Sequence, residues 1–279
     1  MLETATGATA WDVYWSERWR RRAAWLDQTL RTEPPRGWAR LNALHLAQLL
    51  RRLGARRVLD AACGLGLGVA CLIEEGFDAH GADASATAVA HASELLAERG
   101  LSARLLAARW EALPDALGEG TRFDAIHCDA LVWAESEAEI AAAARAFAEL
   151  LPRGGQVLFH GVFPLLDEAV KERLLREAVG AAEPREAACG ALVQRTSFRR
   201  EGDALVETHT FADAAGTERR CELRQLFRHT WRDVRRAFSQ AGEWRLEQAA
   251  TTIDGARRFH AVATLMAHPA APAPMEDFL

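Results

Sequence analysis

A doubly wound α/β fold with an antiparallel insertion is what this 279-residue sequence predicts. Three observations carry the prediction. Between residues 56 and 160, short apolar runs alternate with helical stretches, the pattern of a mostly parallel sheet covered on both faces. The first apolar run ends in a glycine-rich turn that opens a helix. After residue 190, three strand-like runs are joined by short connections containing glycine, which predicts antiparallel hairpins.

The elements follow in order. Trp11, Trp15 and Trp19 recur every four residues, which lays their rings along one helical face. In Ala39–Leu53, Leu41, Leu44, Leu49 and Leu53 stand at roughly helical spacing, so a helix leads into the first strand. The alternation then reads as strand Arg57–Ala61, a helix to Glu75, strand Asp78–Ala82, helix Ala86–Arg99 and strand Ala103–Ala107. Strand Phe123–Cys128, helix Glu137–Leu151 and strand Gln156–His160 complete it. A helical piece, Leu166–Val179, leads to the three runs Leu192–Arg200, Ala204–Ala212 and Arg219–Arg228. A helix over Trp231–Ala241 stops at Gly242, and strands near Glu243–Thr251 and Arg258–Ala267 flank Asp254-Gly255. The tail from His268, with Pro269, Pro272 and Pro274, reads as disordered. The expected organisation is a helical cover at 1–38, a nucleotide-type half at 39–165 and a helix with an antiparallel lid at 166–228. A closing helix with the last two strands spans 229–267, and the tail 268–279.

Composition limits what the chain can be. At 49% hydrophobic and 26% charged it can bury a core and is neither disordered nor collagen-like. A net charge of −5 and a pI near 6.0 argue against a nucleic-acid binder, which needs a basic excess; all but one of its 34 basic residues, Lys171, are arginine. The first ten residues contain Glu3 and no apolar run, and nothing later approaches the roughly 18 apolar residues of a membrane span. Five cysteines, Cys63, Cys71, Cys128, Cys189 and Cys221, form no C-x-x-C pair. They predict buried thiols in a cytoplasmic protein and no metal site, a three-thiol set of Cys128, Cys189 and Cys221 being set aside. Nine tryptophans against one tyrosine are the unusual feature.

The most informative stretch is Val58-Leu59-Asp60-Ala61-Ala62-Cys63-Gly64-Leu65-Gly66-Leu67-Gly68. A strand running into such a turn lets a ligand approach the backbone closely. A dinucleotide fingerprint needs G-x-G-x-x-G, but the glycines here follow G-x-G-x-G and position 69 is valine. Asp60 would repel a pyrophosphate, yet it can accept hydrogen bonds through water from an ammonium group. Asp83, closing the second strand, sits where a carboxylate accepts both hydroxyls of a ribose.

These residues resemble those of class I methyltransferases that use S-adenosylmethionine, and VLDAACGLGLGVACLIEEGFDAHGADAS is especially similar to the glycine N-methyltransferase family. The resemblance implies a Rossmann-like seven-stranded methyltransferase sheet whose seventh strand is antiparallel. It implies that Gly64, Gly66 and Gly68 line the methionine and ribose and that Asp83 binds the ribose hydroxyls. Asp60, Ala84 and Cys128 complete the expected cofactor set with Arg109 and Trp110, which fall where the family places its adenine-contacting pair. The first of that pair is usually Asp or Asn, and Arg109 departs from it. The region from Arg195 to Phe227, with Val234–Gly242, is similar to the antiparallel lid of amino-sugar N,N-dimethyltransferases; a homodimer contact is the other role such strands fill.

The glycine enzyme holds its substrate carboxylate with an arginine and an asparagine. The matching positions here are Val162 and Leu131, so glycine is disfavoured and a less acidic small molecule is expected. Ligands bind at the carboxyl ends of strands in open α/β sheets, which nominates Asp129 and Trp133 after the fourth strand and His160 and Phe163 after the fifth. Asp129 would take the proton or hold the charge of an ammonium substrate, or else cap the following turn. His160 would act as a general base or be a structural histidine. Trp133 would attract a cation with its π face or simply pack. Trp11 and Tyr14 match a W-x-x-Y in the glycine enzyme, which implies that they close over cofactor and substrate. The expectation is an enzyme for small-molecule N-methylation, with no nucleic-acid or membrane partner. The alternatives are an O- or S-methyltransferase, a non-catalytic S-adenosylmethionine-binding protein and a nicotinamide-dependent reductase.

Overall fold

The computed structural model describes residues 4–6, 8–22, 26, 38–160, 167–179, 185–189, 192–202, 204–226, 228–253 and 256–267. Phe163, Val162, Trp25, the Asp254-Gly255 connection and the tail from 268 lie outside them, as do the side chains of His160 and Trp38.

The chain opens with β1 (Thr4–Ala5) and α1 (Ala8–Arg20), then α2 (Trp38–Leu53). The alternating unit follows: β2 (Arg57–Asp60), α3 (Leu67–Glu74), β3 (Asp78–Asp83), α4 (Ala86–Glu98), β4 (Leu105–Ala107) and the short α5 (Leu113–Leu117). β5 (Ala125–His127), α6 (Glu137–Leu150) and β6 (Gln156–His160) complete it. Next come α7 (Glu168–Val179), β7 (Arg185–Cys189), β8 (Leu192–Glu201), β9 (Ala204–Ala212) and β10 (Glu218–Leu226). The chain closes with α8 (Trp231–Ala241), β11 (Glu243–Ile253) and β12 (Ala256–Ala267).

Seven strands form one sheet in the order β11-β12-β6-β5-β2-β3-β4. The five central and edge strands from β6 to β4 run parallel, while β12 enters antiparallel to both β6 and β11. Alternation along each strand covers both faces. Leu59, Ile126, Val157 and Phe159 pack with α5, α6 and α8, while Val58, Ala125 and Leu158 pack with α2, α3 and Leu96 of α4. α8 shows the same logic, burying Trp231, Val234, Ala237, Phe238 and Ala241 at i, i+3, i+6, i+7 and i+10. Ser85 and Ser136 start α4 and α6, each side chain accepting the backbone N–H three residues on.

The second sheet has five strands, β1-β10-β9-β8-β7, where the sequence predicts only the three inner runs. β8, β9 and β10 pair as the expected antiparallel hairpins. The additions are the edges: β7 pairs antiparallel with β8, and β1 pairs parallel with β10 through Thr4↔Arg220 and Ala5↔Cys221. β1 thereby brings α1 over both sheets. Tyr14 lies on His209 and Phe211 of β9, while the Trp19 indole donates to Glu94 of α4 at 3.0 Å. Cys63, Cys71, Cys128 and Cys221 are free and buried. Among the described residues, no helix is long and apolar enough to cross a membrane.

Candidate functional site

β2 is where the parallel sheet changes direction: β3 and β4 lie on one side of it, β5 and β6 on the other. Crevices outside the carboxyl ends of such strands are where open α/β sheets bind ligands. The residues found there are Asp60 and the glycine loop after β2, Asp83 after β3, and His127 to Trp133 after β5.

The loop is tight for identifiable reasons. Gly64 and Gly66 have φ of +51° and +73°, backbone that L side chains rarely adopt. A Cβ at Gly66 would lie 2.9 Å from the Cβ of Ala92 in α4, and one at Gly64 would lie 2.8 Å from Cη2 of Trp15. At Gly68 the obstacle is polar, since a Cβ there would stand 2.9 Å from Oδ2 of Asp60. The three glycines thus answer to three different neighbours: a helix, the aromatic cover and the acid.

Asp83 is fastened to the same loop. Its Oδ2 accepts the Gly64 N–H and its Oδ1 the Ser85 N–H, both at 2.9 Å. Burial raises its pKa above the ordinary carboxylate value; these two bonds oppose the rise, and the charges of Asp60 and Asp12 add to it. Ala84, next along, is exposed. Ser85 donates its hydroxyl to Asp12 of α1 at 2.7 Å, so α1 is tied to the segment that holds Asp83.

The adenine-side pair is divided. The Trp110 indole N–H donates to the Ala61 carbonyl at 2.8 Å, which sets the ring against the start of the loop. Arg109 is turned outward and pairs with Glu111 and Glu139, each at 2.8 Å. Its guanidinium is therefore committed to a surface network. Cys128 lies in the core. Its side chain is fully buried in the core and burial pushes the thiol far above its ordinary pKa, so only its backbone is placed to meet a ligand.

On the acceptor side, Asp129 opens the turn Ala130–Trp133 but does not cap it. Its carboxylate instead pairs with Nε2 of His127 at 3.2 Å and stays 43% exposed. His127 is the residue that sequence reasoning missed. It sits directly beside Asp60 in the β2–β5 register, and its Nδ1 lies 3.3 Å from Asp60 Oδ1. Burial alone would lower the imidazole pKa; Asp129 and Asp60, by charge and hydrogen bonding, overcome that and raise it well above the ordinary value. A signal was present: a histidine interrupts the apolar strand Ala-Ile-His-Cys two residues ahead of Asp129.

The aromatic residues gather above this crevice. Trp11 stacks on Trp15 with ring centres 6.1 Å apart and meets Trp133 edge-on at 5.1 Å and Tyr14 at 5.8 Å. Tyr14 is partly buried, which raises its pKa, and its hydroxyl accepts from Arg18 at 3.2 Å. Trp19 stacks on His91 of α4 instead of joining the crevice. Leu131 is fully buried, so the position matching the glycine enzyme's asparagine faces the core.

A parallel sheet with a G-x-G-x-G loop at its switch point, an acid on each neighbouring strand and an antiparallel β12 defines the class: this is the fold of S-adenosylmethionine-dependent methyltransferases. More particularly, residues 58–155 match the family model described as a methyltransferase domain. Among solved structures, an S-adenosylmethionine-dependent methyltransferase from Clostridium acetobutylicum ATCC 824 is 14% identical with a TM-score of 0.64, covering 89% of this chain and 99% of its own. CalS10, an amino pentose methyltransferase from Micromonospora echinaspora, is 23% identical with a TM-score of 0.59, covering 90% and 96%. The sugar N-methyltransferase KedS8 from Streptoalloteichus sp ATCC 53650 is 27% identical with a TM-score of 0.57, covering 80% and 86%. No curated protein matches the chain.

Proposed function

We propose that the protein transfers a methyl group from S-adenosylmethionine to the nitrogen of a small amine of the amino-sugar kind. The observation that carries the reading is the half-exposed Asp129 carboxylate, held by His127 at the switch point beside the Trp11–Trp133 contact. A carboxylate next to aromatic faces suits a cationic amine that must lose a proton before it attacks. The likeness to KedS8 and CalS10, which act on sugars according to their descriptions, supports the acceptor class.

The residues fit the cofactor. Each Asp83 oxygen keeps a second lone pair beyond its backbone bond, enough to accept a ribose hydroxyl. Asp60 lies over Gly68, where a missing Cβ leaves room for the methionine end and its ammonium. When bound, S-adenosylmethionine supplies an electrophilic methyl group on a sulfonium that leaves readily. The chain's work is alignment and shielding: Asp60 and Asp83 hold the two ends, Trp110 braces the loop, and Trp11, Tyr14 and Trp133 wall the acceptor side. A lone pair held about 3–3.5 Å from the methyl carbon in line with the sulfur needs no further activation. Asp129 takes or orients the amine proton. Phe163 and His160 remain candidates on sequence grounds, and β6 carries His160 at its carboxyl end.

The test is transfer of labelled methyl from S-adenosylmethionine to a panel of amino-sugar nucleotides, glycine, hydroxyl and thiol acceptors. We expect an amino sugar to be methylated and Asp129→Asn to lower kcat about 100-fold, with far less effect on cofactor affinity. Wild-type kinetics in both Asp129→Asn and His160→Ala would refute the site assignment. Methylation confined to hydroxyls or thiols would refute the nitrogen reading.

A further inference from the structure

Methyl transfer as just described has no use for the His127 imidazole, yet the fold goes to some length to place it. The parallel register sets it beside Asp60, and the chain after β5 brings Asp129 back to its other edge. Nδ1 is 3.3 Å from Asp60 Oδ1 and Nε2 is 3.2 Å from Asp129 Oδ2. The two acids belong to different halves of the site. The other Asp60 oxygen overlooks Gly68 of the loop, whereas Asp129 leads into the turn that carries Trp133 to the aromatic cover.

We propose that His127 is a positioning residue that couples the two halves of the site, hydrogen-bonded through Nδ1 to Asp60 and ion-paired through Nε2 with Asp129 so that the cofactor-side and acceptor-side acids behave as one unit. The inference rests on the roles given to Asp60 and Asp129 under the proposed function and adds the link between them. A neutral imidazole donates from one nitrogen and would turn its lone pair toward the other carboxylate; the doubly protonated ring satisfies both. The exposures order the chain from dry to wet. The Asp60 side chain is 8% exposed and His127 13%, against 43% for Asp129, so the buried end is fixed while the outer carboxylate meets solvent or acceptor. Charge points the same way, because two carboxylates brought to one ring are compensated by an imidazolium. With it the three groups sum to −1, opposite to the net +1 of the sulfonium cofactor with its ammonium and carboxylate.

The experiment combines nitrogen-15 NMR of the imidazole with calorimetry of S-adenosylhomocysteine binding on the full chain. In the wild type we expect both His127 nitrogens to carry protons at about pH 7, and Asp129→Asn to lower the proton affinity of the ring. In a double-mutant cycle, Asp129→Asn should weaken S-adenosylhomocysteine binding about threefold in the wild-type background and leave it unchanged in a His127→Leu background. A singly protonated ring at about pH 7, or an equal effect of Asp129→Asn in both backgrounds, overturns the inference. If His127→Leu does not fold, His127→Asn replaces it in the cycle, and the NMR measurement needs no change at position 127. A wild type that binds neither S-adenosylmethionine nor S-adenosylhomocysteine would refute the cofactor reading instead, and the imidazole measurement on the free protein would still decide the question of the link.

Discussion

At the scale of single residues, the glycine loop separates two effects that a sequence pattern merges. Gly66→Ala sets a side chain on left-handed backbone and drives it to 2.9 Å from the Ala92 Cβ, on a helix held in the core. Strain and overpacking together should destabilise the fold by about 2–4 kcal/mol, seen as a lower Tm with and without ligand. Gly68 carries no such backbone constraint, and its added Cβ meets only the Asp60 carboxylate at 2.9 Å. Gly68→Ala should keep stability within about 1 kcal/mol of wild type and weaken S-adenosylhomocysteine binding about tenfold, because the acid must shift. Equal losses of stability in the two variants would contradict this division. The spacing of the glycines and the two acids was legible in the sequence because backbone chemistry dictates both. His127 was not, because its role depends on a neighbour 67 positions away in the chain, brought alongside only by strand register. The outward turn of Arg109 was not legible for a related reason: Glu139, which holds it, lies on a helix whose packing no local pattern gives.

At the scale of elements, the alternating half was readable to within a residue or two at most strand ends, and β6, β9 and α8 have the bounds their apolar periodicity and turns predict. The edge strands were not. β7 is Arg-Glu-Ala-Ala-Cys and β1 is Thr-Ala, too short or too poor in β-branched and aromatic residues to announce themselves, and both are strands only because a neighbour supplies the ladder. The most consequential element is α1. Its tryptophan period was visible, but the period alone does not say that Trp15 lands on Gly64 while Trp19 lands on His91. That placement makes α1 a cover for the loop, so Trp15→Ala should loosen retention more than recognition. We expect the dissociation rate of S-adenosylhomocysteine to rise about tenfold, with association changed about twofold or less, as followed by stopped-flow tryptophan fluorescence. A change confined to the association rate would show that Trp15 guards access and not retention.

At the scale of the whole molecule, α1 is also the bridge between the two sheets. Toward the seven-stranded sheet it holds α4 through Trp19–Glu94, joined by Arg22–Glu98 just past its end, and Asp12 reaches Ser85. Toward the five-stranded sheet, Arg21 donates to the Val193 carbonyl and lies over Phe211, Glu17 pairs with Arg219, and Tyr14 covers His209. The loop is therefore connected to the five-stranded sheet through one helix whose two flanks face different sheets. Cutting only the flank toward α4, with Trp19→Ala and Arg22→Ala together, removes a buried indole worth about 3 kcal/mol and an exposed ion pair worth little, while leaving every contact to the lid in place. If α1 is the bridge, scanning calorimetry should resolve the single wild-type transition into an early lid transition and a later one from the seven-stranded sheet. S-adenosylhomocysteine should then raise only the later of the two, whereas in the wild type it raises the whole. One transition, shifted down but still raised as a unit by the ligand, would mean that the sheets communicate through β10 and the Ala130–Trp133 turn and that α1 serves as a cover alone.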